Sequence, residues 1–541
     1  MTSKFVLKLL RAGAAKSFLP SITDVGVIGE PIFTRPSFVD TVNDIRVQYA
    51  KRNVEAIPGV DTIYVVSIGL DESGSQFWAI MSDGNIYAFG SDVVGWDDYT
   101  MESPFLIASP EGGNLIYGTA RSVDGLMMVD ENNLLWLVGY IYKNSTFASP
   151  NEDYESLDVG AGTRGILFDT QTYGDSPTLS KISRGQYWSG GIDISTKLWM
   201  WGCGFWGALG NDTDDSCEYA PIEPTMDDNI GWSHIYCGWA RSVGIKNGDV
   251  WAWGEAASGA LGFGCNAYLT YNGIWKWSLS EYGSNEYYLE KDAGGDPEII
   301  EPTHIYQYWY GVYIGDLAKG SLGVLASGEW NWGDNDELGY STVYVRLTNN
   351  ADPDSGSDTM LRPRWRRPTR LVGYGSNWIK VTSQEHTTVA LKSDGTLWVW
   401  GYNYKGSGGH DPAMCTADRK DLSPPITWCE HWKPYNITPS GKTIVDFSAG
   451  WYHIIAMEAD GTAWAIGLDN GEGCLGIGEG IDSVSEWTEI TTVKFLKVEC
   501  QYDTNIGLGL DGKVYVWGYT GVTPYNYYVP TVWNFGTYWG E

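Results

Sequence analysis

Histidine and cysteine, the residue types that most often carry acid–base chemistry or bind metals, are few and scattered in this sequence. No two cysteines form a C-x-x-C pair, so neither a zinc ribbon nor a redox motif is indicated. His410 and Asp411 beside Cys415 have the composition of a metal-site fragment, but no second spaced pair accompanies them. An ordinary loop is therefore expected there. The cysteines are Cys203, Cys217, Cys237, Cys265, Cys415, Cys429, Cys474 and Cys500, and their even number leaves disulfides open.

Known catalytic motifs are also absent from the sequence. It holds no nucleophile elbow, Walker loop, zincin helix or dinucleotide fingerprint in a strand–helix context. The chain has 67 Asp and Glu residues, so many carboxylate pairs could be chosen as the catalytic pair of a glycosidase. No particular pair is therefore evidence for that activity. The acidic segments 211–215 and 334–337 lack the spacing of an EF-hand loop, so solvated turns are expected instead of calcium sites. The sequence predicts a non-enzymatic protein with no catalytic residue, cofactor or metal site.

Arginine forms the one basic cluster of this acidic chain. Such a cluster can dock an acidic partner surface or nucleic acid. Alternatively, the side chains neutralise neighbouring blades, in a strand whose Pro363 and Pro368 are typical of an outer edge. The residues assigned to binding are Arg364, Trp365, Arg366, Arg367 and Arg370, and Arg362 precedes them.

The charge of the chain limits its partners. The formal net charge is −32, and a field of that sign repels nucleic-acid phosphates and anionic lipid. No apolar run is long enough to span a membrane. Lys4, Lys8, Arg11 and Lys16 interrupt the first residues, so a secretory signal is not expected. We expect no nucleic-acid partner, no membrane insertion and no export.

The elements that must position any site are copies of one hairpin. Five copies carry Asp-Gly or Asn-Gly at the turn, the pairs that favour type I′ hairpins. Alternation in Trp398-Val399-Trp400 puts both tryptophans on one face. A glycine ends the second strand of each hairpin, and we call it the closing glycine. It lets the chain turn sharply away from the strand at a point where a side chain would collide with the neighbouring sheet. Eight times an aromatic residue lies three positions before such a glycine: Tyr87, Trp136, Trp199, Trp251, Trp330, Trp398, Trp464 and Tyr515, before Gly90, Gly139, Gly202, Gly254, Gly333, Gly401, Gly467 and Gly518.

A hairpin cannot bury both faces alone, but radial stacking of such sheets buries the aromatic surfaces between them. With Gly450-Trp451-Tyr452-His453 before it and Gly473-Cys474-Leu475-Gly476 after it, the hairpin resembles the regulator-of-chromosome-condensation repeat. The resemblance implies an all-β propeller, and structural hydrogen bonds for His386 and His453. Members usually have seven blades. The eight hairpins predict eight, with seven as the alternative, because the copy ending at Gly333 has the poorest turn.

Most tryptophans lie at packing positions of this repeat. A core role is therefore expected for them, in preference to the chromophore role of the plant ultraviolet-B photoreceptor, which shares the repeat.

The position of the repeats predicts how the chain is divided into domains and loops. Residues 1–58 are predicted as an N-terminal arm and 59–541 as the propeller. Segment 33–43 is similar to parts of bacteriophage tail proteins. Long loops predicted at 265–301, 340–371 and 402–440 would form the variable binding surface.

The predicted function is binding, as a structural or recognition subunit of a bacteriophage particle. In this prediction the arm contacts other virion proteins in a multi-subunit assembly, and the aromatic loops contact a host receptor or glycan. The alternative, which the family resemblance implies, is a cytoplasmic regulator or guanine-nucleotide exchange factor for a small GTPase.

Deletion of residues 1–58 tests the arm. If the arm anchors the protein, the truncated chain keeps its thermal unfolding transition but no longer enters its assembly, as sedimentation measures. Loss of the folded state, or unimpaired assembly, would contradict this role.

Overall fold

The structure is a computed structural model that describes much of the chain beyond residue 64. The arm predicted at 1–58 lies outside the described residues. Among the described residues, no helix is long and apolar enough to cross a membrane. The described residues are 65–70, 76–81, 86–90, 101–106, 115–119, 126–130, 135–138, 166–167, 177–185, 187–214, 216–265, 269, 276–290, 299–309, 312–354, 359–404, 419–420, 428–520 and 526–533.

Seven sheets share one arrangement, in which four strands pair in chain order and each is antiparallel to the next. We call these sheets blades. Blades one to three consist of β1 (Val65–Leu70), β2 (Gln76–Met81), β3 (Ile86–Gly90) and β4 (Met101–Leu106); β5 (Leu115–Thr119), β6 (Leu126–Asp130), β7 (Leu135–Val138) and β8 (Ile166–Leu167); and β9 (Leu179–Arg184), β10 (Trp188–Asp193), β11 (Leu198–Gly204) and β12 (Ser216–Ile222).

The fourth blade contains a long insertion before its last strand. Blade four consists of β13 (Trp232–Cys237), β14 (Arg241–Lys246), β15 (Asp249–Gly254) and, after the insertion, β23 (Thr359–Arg370). Blades five to seven consist of β24 (Trp378–Ser383), β25 (Thr387–Lys392), β26 (Leu397–Tyr404) and β28 (Trp428–Asn436), with β27 (Arg419–Lys420) at the edge; β29 (Ile444–Ala449), β30 (His453–Glu458), β31 (Ala463–Leu468) and β32 (Ser483–Ile490); and β33 (Phe495–Gln501), β34 (Thr504–Gly509), β35 (Val514–Tyr519) and β36 (Asn526–Val532).

The first strands of the blades form a closed ring. Each contacts the first strand of the next blade, in the order β1, β5, β9, β13, β24, β29, β33 and back to β1. Where the ring closes, Ile68 and Phe77 of blade one share a core with Ile506 and Trp533 at the end of the chain. The Phe77 and Trp533 rings stack with centroids 6.2 Å apart. The first strands are therefore innermost, and the sheets make an all-β propeller.

The hairpin copy that ends at Gly333 is not a blade of this ring. Its strand lies in a separate five-stranded sheet that contains a parallel pair, which the blades lack among their described strands. The prediction of eight blades is therefore not met, and the described strands form seven. The insertion contains β16 (Trp277–Leu279), β17 (Tyr287–Leu289), β18 (His304–Trp309), β19 (Val312–Asp316), β20 (Ala318–Lys319), β21 (Glu329–Gly333) and β22 (Thr342–Arg346).

The closing glycine distinguishes true blades from this copy. Gly401 has a φ of 106°, and a Cβ on it would lie 2.1 Å from the carbonyl oxygen of His386. That carbonyl accepts the N–H of Tyr402 at 2.9 Å, so the glycine allows the third strand to close on the second strand of its own blade. A Cβ on Gly333 would instead contact only the side chain of Leu322. The glycines that share the Gly401 arrangement are Gly202, Gly254, Gly467 and Gly518.

The collision that the sequence predicted thus lies within the blade and not at the neighbouring sheet. The residue before the second strand, and not a side chain of the next blade, occupies the space.

The loop that follows the third strand of a blade makes hydrogen bonds with the next blade. In blade three this loop contains the 3-10 turn Phe205–Gly207 and continues to Gly210. The carbonyl of Ala208 accepts hydrogen bonds from Ser242 Oγ at 2.9 Å and from Trp253 Nε1 at 2.7 Å, both in blade four. A buried carbonyl is thereby satisfied by the next blade.

The same bond recurs at two other junctions. In blade four the loop contains the 3-10 turn Ala257–Gly259, and Ala260 accepts from Thr388 of blade five at 2.6 Å. In blade six Cys474 accepts from Asn505 at 2.8 Å and from Trp517 at 3.2 Å, both in blade seven. The Gly-Ala-Leu-Gly and Gly-Cys-Leu-Gly motifs of the sequence therefore connect the blades.

The described cysteines take two states. Cys203 and Cys217 form a disulfide between paired positions of β11 and β12. Four further cysteines are buried and do not belong to a disulfide: Cys237, Cys265, Cys474 and Cys500.

We expect Gly401→Ala to lower the free energy of unfolding by more than about 3 kcal/mol, because a Cβ would collide with the His386 carbonyl in addition to straining φ. Gly441→Ala is the control. Gly441 also has a positive φ, 73°, but open space around it, so only about 1 kcal/mol is expected. Denaturant unfolding measures both. Equal losses would contradict the role given to the closing glycine.

Candidate interaction face

One face of the propeller carries both the insertion and a group of aromatic side chains. Because strands alternate in direction, the ends of first and third strands and the starts of second and fourth strands meet there. We call it the insertion face, since the insertion between β15 and β23 begins there. The predicted loops at 265–301 and 340–371 lie in or border this insertion but contain β16, β17, β22 and β23. The third, 402–440, leaves β26 on the same face and contains β27 and β28.

Five rings from blades five to seven form what we call the axial aromatic cluster: Tyr402, Tyr404, Trp451, Tyr452 and Tyr502. Trp451 stacks on Tyr452, with centroids 5.0 Å apart, and lies 4.7 Å from Tyr502. Tyr404 lies 6.0 Å from Tyr452 and 6.2 Å from Tyr402. Tyr502 is 41% exposed. The rings lie where second strands begin and third strands end, so the cluster opens on the insertion face.

A second arc of rings crosses blades three and four on the same face. Tyr187, Phe205, Trp206 and Trp239 follow one another with centroid separations of 5.1, 5.8 and 5.6 Å. Trp206 has a φ of 58°, a left-handed conformation that favours glycine. The fold holds this ring in place at a conformational cost.

Carboxylates accompany the axial aromatic cluster. Burial raises the pKa of Glu385, although the indole N–H of Trp451 and the charge of Arg241 favour its ionised form. Burial also raises the pKa of Asp503 to about 6, with Glu472 and Asp469 adding to the shift. Burial, Glu385 and Asp503 together raise the pKa of Tyr452. Negative charge is therefore concentrated among aromatic rings.

Arg241 positions the loop that carries Glu385. Its fully buried guanidinium donates from Nη1 to the backbone oxygens of Gln384 at 3.1 Å and Glu385 at 2.7 Å. Desolvation lowers its pKa to about 10, so it stays charged at neutral pH. Desolvation and the nearby Arg241 lower the pKa of His386 to about 4, so this imidazole is neutral.

The strand that carries the arginine cluster is interior and not at an edge. The half of β23 from Trp365 to Arg370 pairs with β15, whereas the half from Thr359 to Arg364 pairs with β18. Pro363 lies opposite Ile305 in this pairing. The edge position inferred from the prolines was wrong because the insertion supplies a further strand, β18, that covers part of β23.

Each guanidinium of the cluster lies within ion-pair distance of a carboxylate of this chain. The pairs are Arg362–Glu255 at 2.5 Å, Arg364–Glu255 at 3.7 Å, Arg366–Asp214 at 3.3 Å and Arg366–Asp316 at 3.1 Å, Arg367–Asp212 at 2.5 Å and Arg370–Asp249 at 2.8 Å. These contacts match the neutralising interpretation.

Trp365 is fully buried beside Phe263, and its indole N–H donates to the Glu301 carbonyl at 2.9 Å. Arg367 and Arg370 remain about half exposed. Docking of a partner by this cluster stays a prediction that depends on those two side chains.

The aromatic position shared by the repeats is not the deepest one. Four of these rings are half-buried beneath lysines, in the pairs Lys197–Trp199, Lys246–Trp251, Lys392–Trp398 and Lys442–Trp464. Tyr87 is half-buried, Trp330 and Tyr515 are buried, and the Trp136 side chain lies outside the described residues. The deepest position is one residue before the glycine, where Trp201, Trp253, Trp400 and Trp517 are fully buried.

Other candidates from the sequence have structural roles or fall outside the described residues. The buried His453 Nε2 bonds Asn505 Oδ1 at 2.7 Å. Asp334 caps its own turn by accepting from the N–H groups of Leu338 and Gly339. His410, Asp411 and Cys415 are not described. In the described part of the chain, no group of His, Cys, Asp and Glu is placed to hold a metal.

The comparisons with known proteins agree with this geometry. Residues 197–245, from the end of the blade-three hairpin turn into β14, match the family "Regulator of chromosome condensation (RCC1) repeat". Residues 197–245 therefore carry one RCC1-type repeat. The RCC1-type propeller of yeast Prp20, solved with Kap60, is similar with a TM-score of 0.51 and 13% identity, over 81% of this chain and 78% of that one. At this identity the likeness shows the fold.

Proteins that are similar to this chain in sequence have diverse names. The human E3 ubiquitin-protein ligase HERC2 is 22% identical over 297 residues, 52% of this chain and 5% of the ligase. The ultraviolet-B receptor UVR8 of Arabidopsis thaliana is 22% identical over 334 residues, 60% of each chain. The mouse regulator of chromosome condensation is 34% identical over 89 residues, 16% of this chain and 21% of that one. This chain thus spans less than two thirds of each.

Sequence reasoning overlooked Glu385, Tyr502 and Asp503. The residues just before a second strand, such as Gly450-Trp451-Tyr452-His453, served there to recognise the repeat and were not considered as a site. Alignment on that flank would have placed Trp239, Glu385, Trp451 and Tyr502 at equivalent positions.

We expect Asp503→Asn to raise the free energy of unfolding by about 1–2 kcal/mol at pH 7.5, since a buried carboxylate becomes neutral. The folded pKa of Asp503 lies above 3.8, the ordinary pKa of an aspartate side chain. The folded state therefore binds more protons between those two pH values, and wild-type stability from this group falls as pH rises through about 6. The variant loses this pH dependence in thermal unfolding series at pH 5 and 7.5. Asp227→Asn, at an exposed carboxylate, is the control; equal effects would contradict the account.

Proposed function

We propose that this RCC1-type propeller is a non-catalytic binding protein whose insertion face recognises a protein partner with a basic surface. One observation carries the proposal: aromatic rings and desolvated carboxylates meet near the axis, on the face that also bears the insertion. Aromatic side chains bury large surfaces at little entropic cost and are enriched in interface cores.

Electrostatics favours a cationic partner over an anionic one. Burial disfavours the ionised forms of Glu385 and Asp503, and an approaching positive charge would offset this desolvation cost. The net charge of −32 also steers cations towards the protein from a distance. The arginines of β23 are already paired within the chain, so they oppose this field little.

Placement in a bacteriophage virion remains a prediction. It depends on residues 1–58 as the anchor to other virion proteins, and a host receptor or glycan would then be the ligand of the insertion face. Neighbouring capsid and tail genes would support this placement, and a solitary cellular locus would contradict it.

A regulator of a small GTPase is the second candidate, and the presence of the regulator of chromosome condensation among the relatives favours it. Nucleotide-release assays against a panel of small GTPases test it. Unchanged release rates across the panel would remove this candidate.

Two exposed apolar side chains at opposite ends of β34 allow a matched test of the face. Tyr502 lies before the strand on the insertion face and is 41% exposed; Leu510 follows the strand at the opposite face and is 39% exposed. We expect Tyr502→Ala to reduce capture of specific partner proteins at least fivefold, because it removes an aromatic contact. Leu510→Ala should retain them. Quantitative mass spectrometry of captured proteins measures both, and equal retention by both variants would contradict the proposal.

A further inference from the structure

A small pocket lies where blades four to seven meet on the insertion face. Among the residues that line it are Trp239, Glu385, Trp451 and Tyr502, which come from four consecutive blades. Its volume is about 50 Å³, far below the roughly 300–1,000 Å³ of sites for drug-sized ligands. A pocket of this size takes the end of one side chain, not a sugar ring or a nucleotide.

Two glutamine side chains line the pocket, and one of them uses its amide donors within the protein. Gln384 and Gln501 are both buried and contribute to the lining. The Gln384 amide nitrogen donates to Gln501 Oε1 at 3.1 Å and to the Ala449 carbonyl at 2.8 Å. An amide nitrogen has two hydrogens, so Gln384 has none left for an anion.

The Glu385 carboxylate lacks a charged partner among the described residues. The basic group within ion-pair distance of it is His386, at 3.5 Å, and this imidazole is neutral near pH 7 because its pKa is lowered to about 4. The buried Arg241 is bonded to the backbone oxygen of Glu385, at 2.7 Å. The half-buried carboxylate therefore has no direct ion pair with a charged base among the described residues, although the charge of Arg241 acts on it from a distance.

We propose that this pocket binds the cationic end of an arginine or lysine side chain from the partner protein. The inference deepens the proposed function and rests on it. A guanidinium within about 6 Å of an indole or phenol ring gains cation–π attraction. It also forms charge-assisted hydrogen bonds with the carboxylate. Trp451 and Tyr502, 4.7 Å apart, offer such rings beside Glu385.

A fluorescein-labelled hexa-arginine peptide is the probe, and fluorescence anisotropy with the full chain measures its binding. We expect Glu385→Gln to weaken binding by about tenfold, through loss of the carboxylate pair. Trp451→Leu should weaken it several-fold, with partial recovery in Trp451→Phe, which keeps an aromatic face. Thermal unfolding of each variant checks that the propeller is intact.

Glu486→Gln is the matched control, because it removes the same charge from an exposed position on the outer strand β32. We expect less than a twofold change. Equal weakening by Glu385→Gln and Glu486→Gln would show diffuse attraction to the acidic chain and would overturn the proposal. Absence of measurable binding to the wild-type chain would overturn it as well.

The same variants separate this inference from the proposed function. If Tyr502→Ala abolishes capture of a partner protein and Glu385→Gln does not alter it, the face binds and the cation pocket is wrong. If Glu385→Gln weakens hexa-arginine binding but no insertion-face variant alters capture, the pocket is right and the proposed function is wrong.

Discussion

One hydrogen bond between blades recurs at three junctions of the fold, and its acceptor is the carbonyl of the loop that follows a third strand. Ala208, Ala260 and Cys474 each accept a hydrogen bond from a polar side chain of the next blade. A carbonyl buried between sheets costs free energy unless it is paired, so this bond couples each such loop to the following blade. The bond also explains how blade four tolerates its insertion. The loop at Ala260 completes its contact with Thr388 before the further strands begin.

The sequence predicted most of this architecture because the hairpin is a local structure. The Asp-Gly and Asn-Gly turns, the alternation around Trp398 and the closing glycines follow from backbone preferences that each copy shows by itself. The number of blades could not be read in this way. The Trp330 copy satisfies the local pattern, yet the partners of its strand lie elsewhere in the insertion. Strand pairing over long separations is a property of the fold, and the absence of a positive φ at Gly333 is visible only in three dimensions.

The candidate site was harder to predict from the sequence, because its residues are also far apart along the chain. Arginines are conspicuous in an acidic chain, but those of β23 find carboxylates far away in the sequence, such as Asp212 for Arg367. The residues that do face the pocket, among them Glu385 and Tyr502, are ordinary in type and come from different blades. Their significance arises because the ring brings the starts of successive second strands together at the axis. Burial raises the pKa of Glu385, and its carboxylate forms no direct ion pair with a charged base among the described residues.

Hydrogen–deuterium exchange with and without bound hexa-arginine tests most directly the claim that ligands bind near the axis of the insertion face. We expect slower exchange at 384–386, 450–452 and 501–503, the segments that surround the pocket. Exchange should be unchanged at 394–395, 460–461 and 511–512, the hairpin turns of the same blades at the opposite face. Protection of those turns, or protection spread evenly over both faces, would contradict the account.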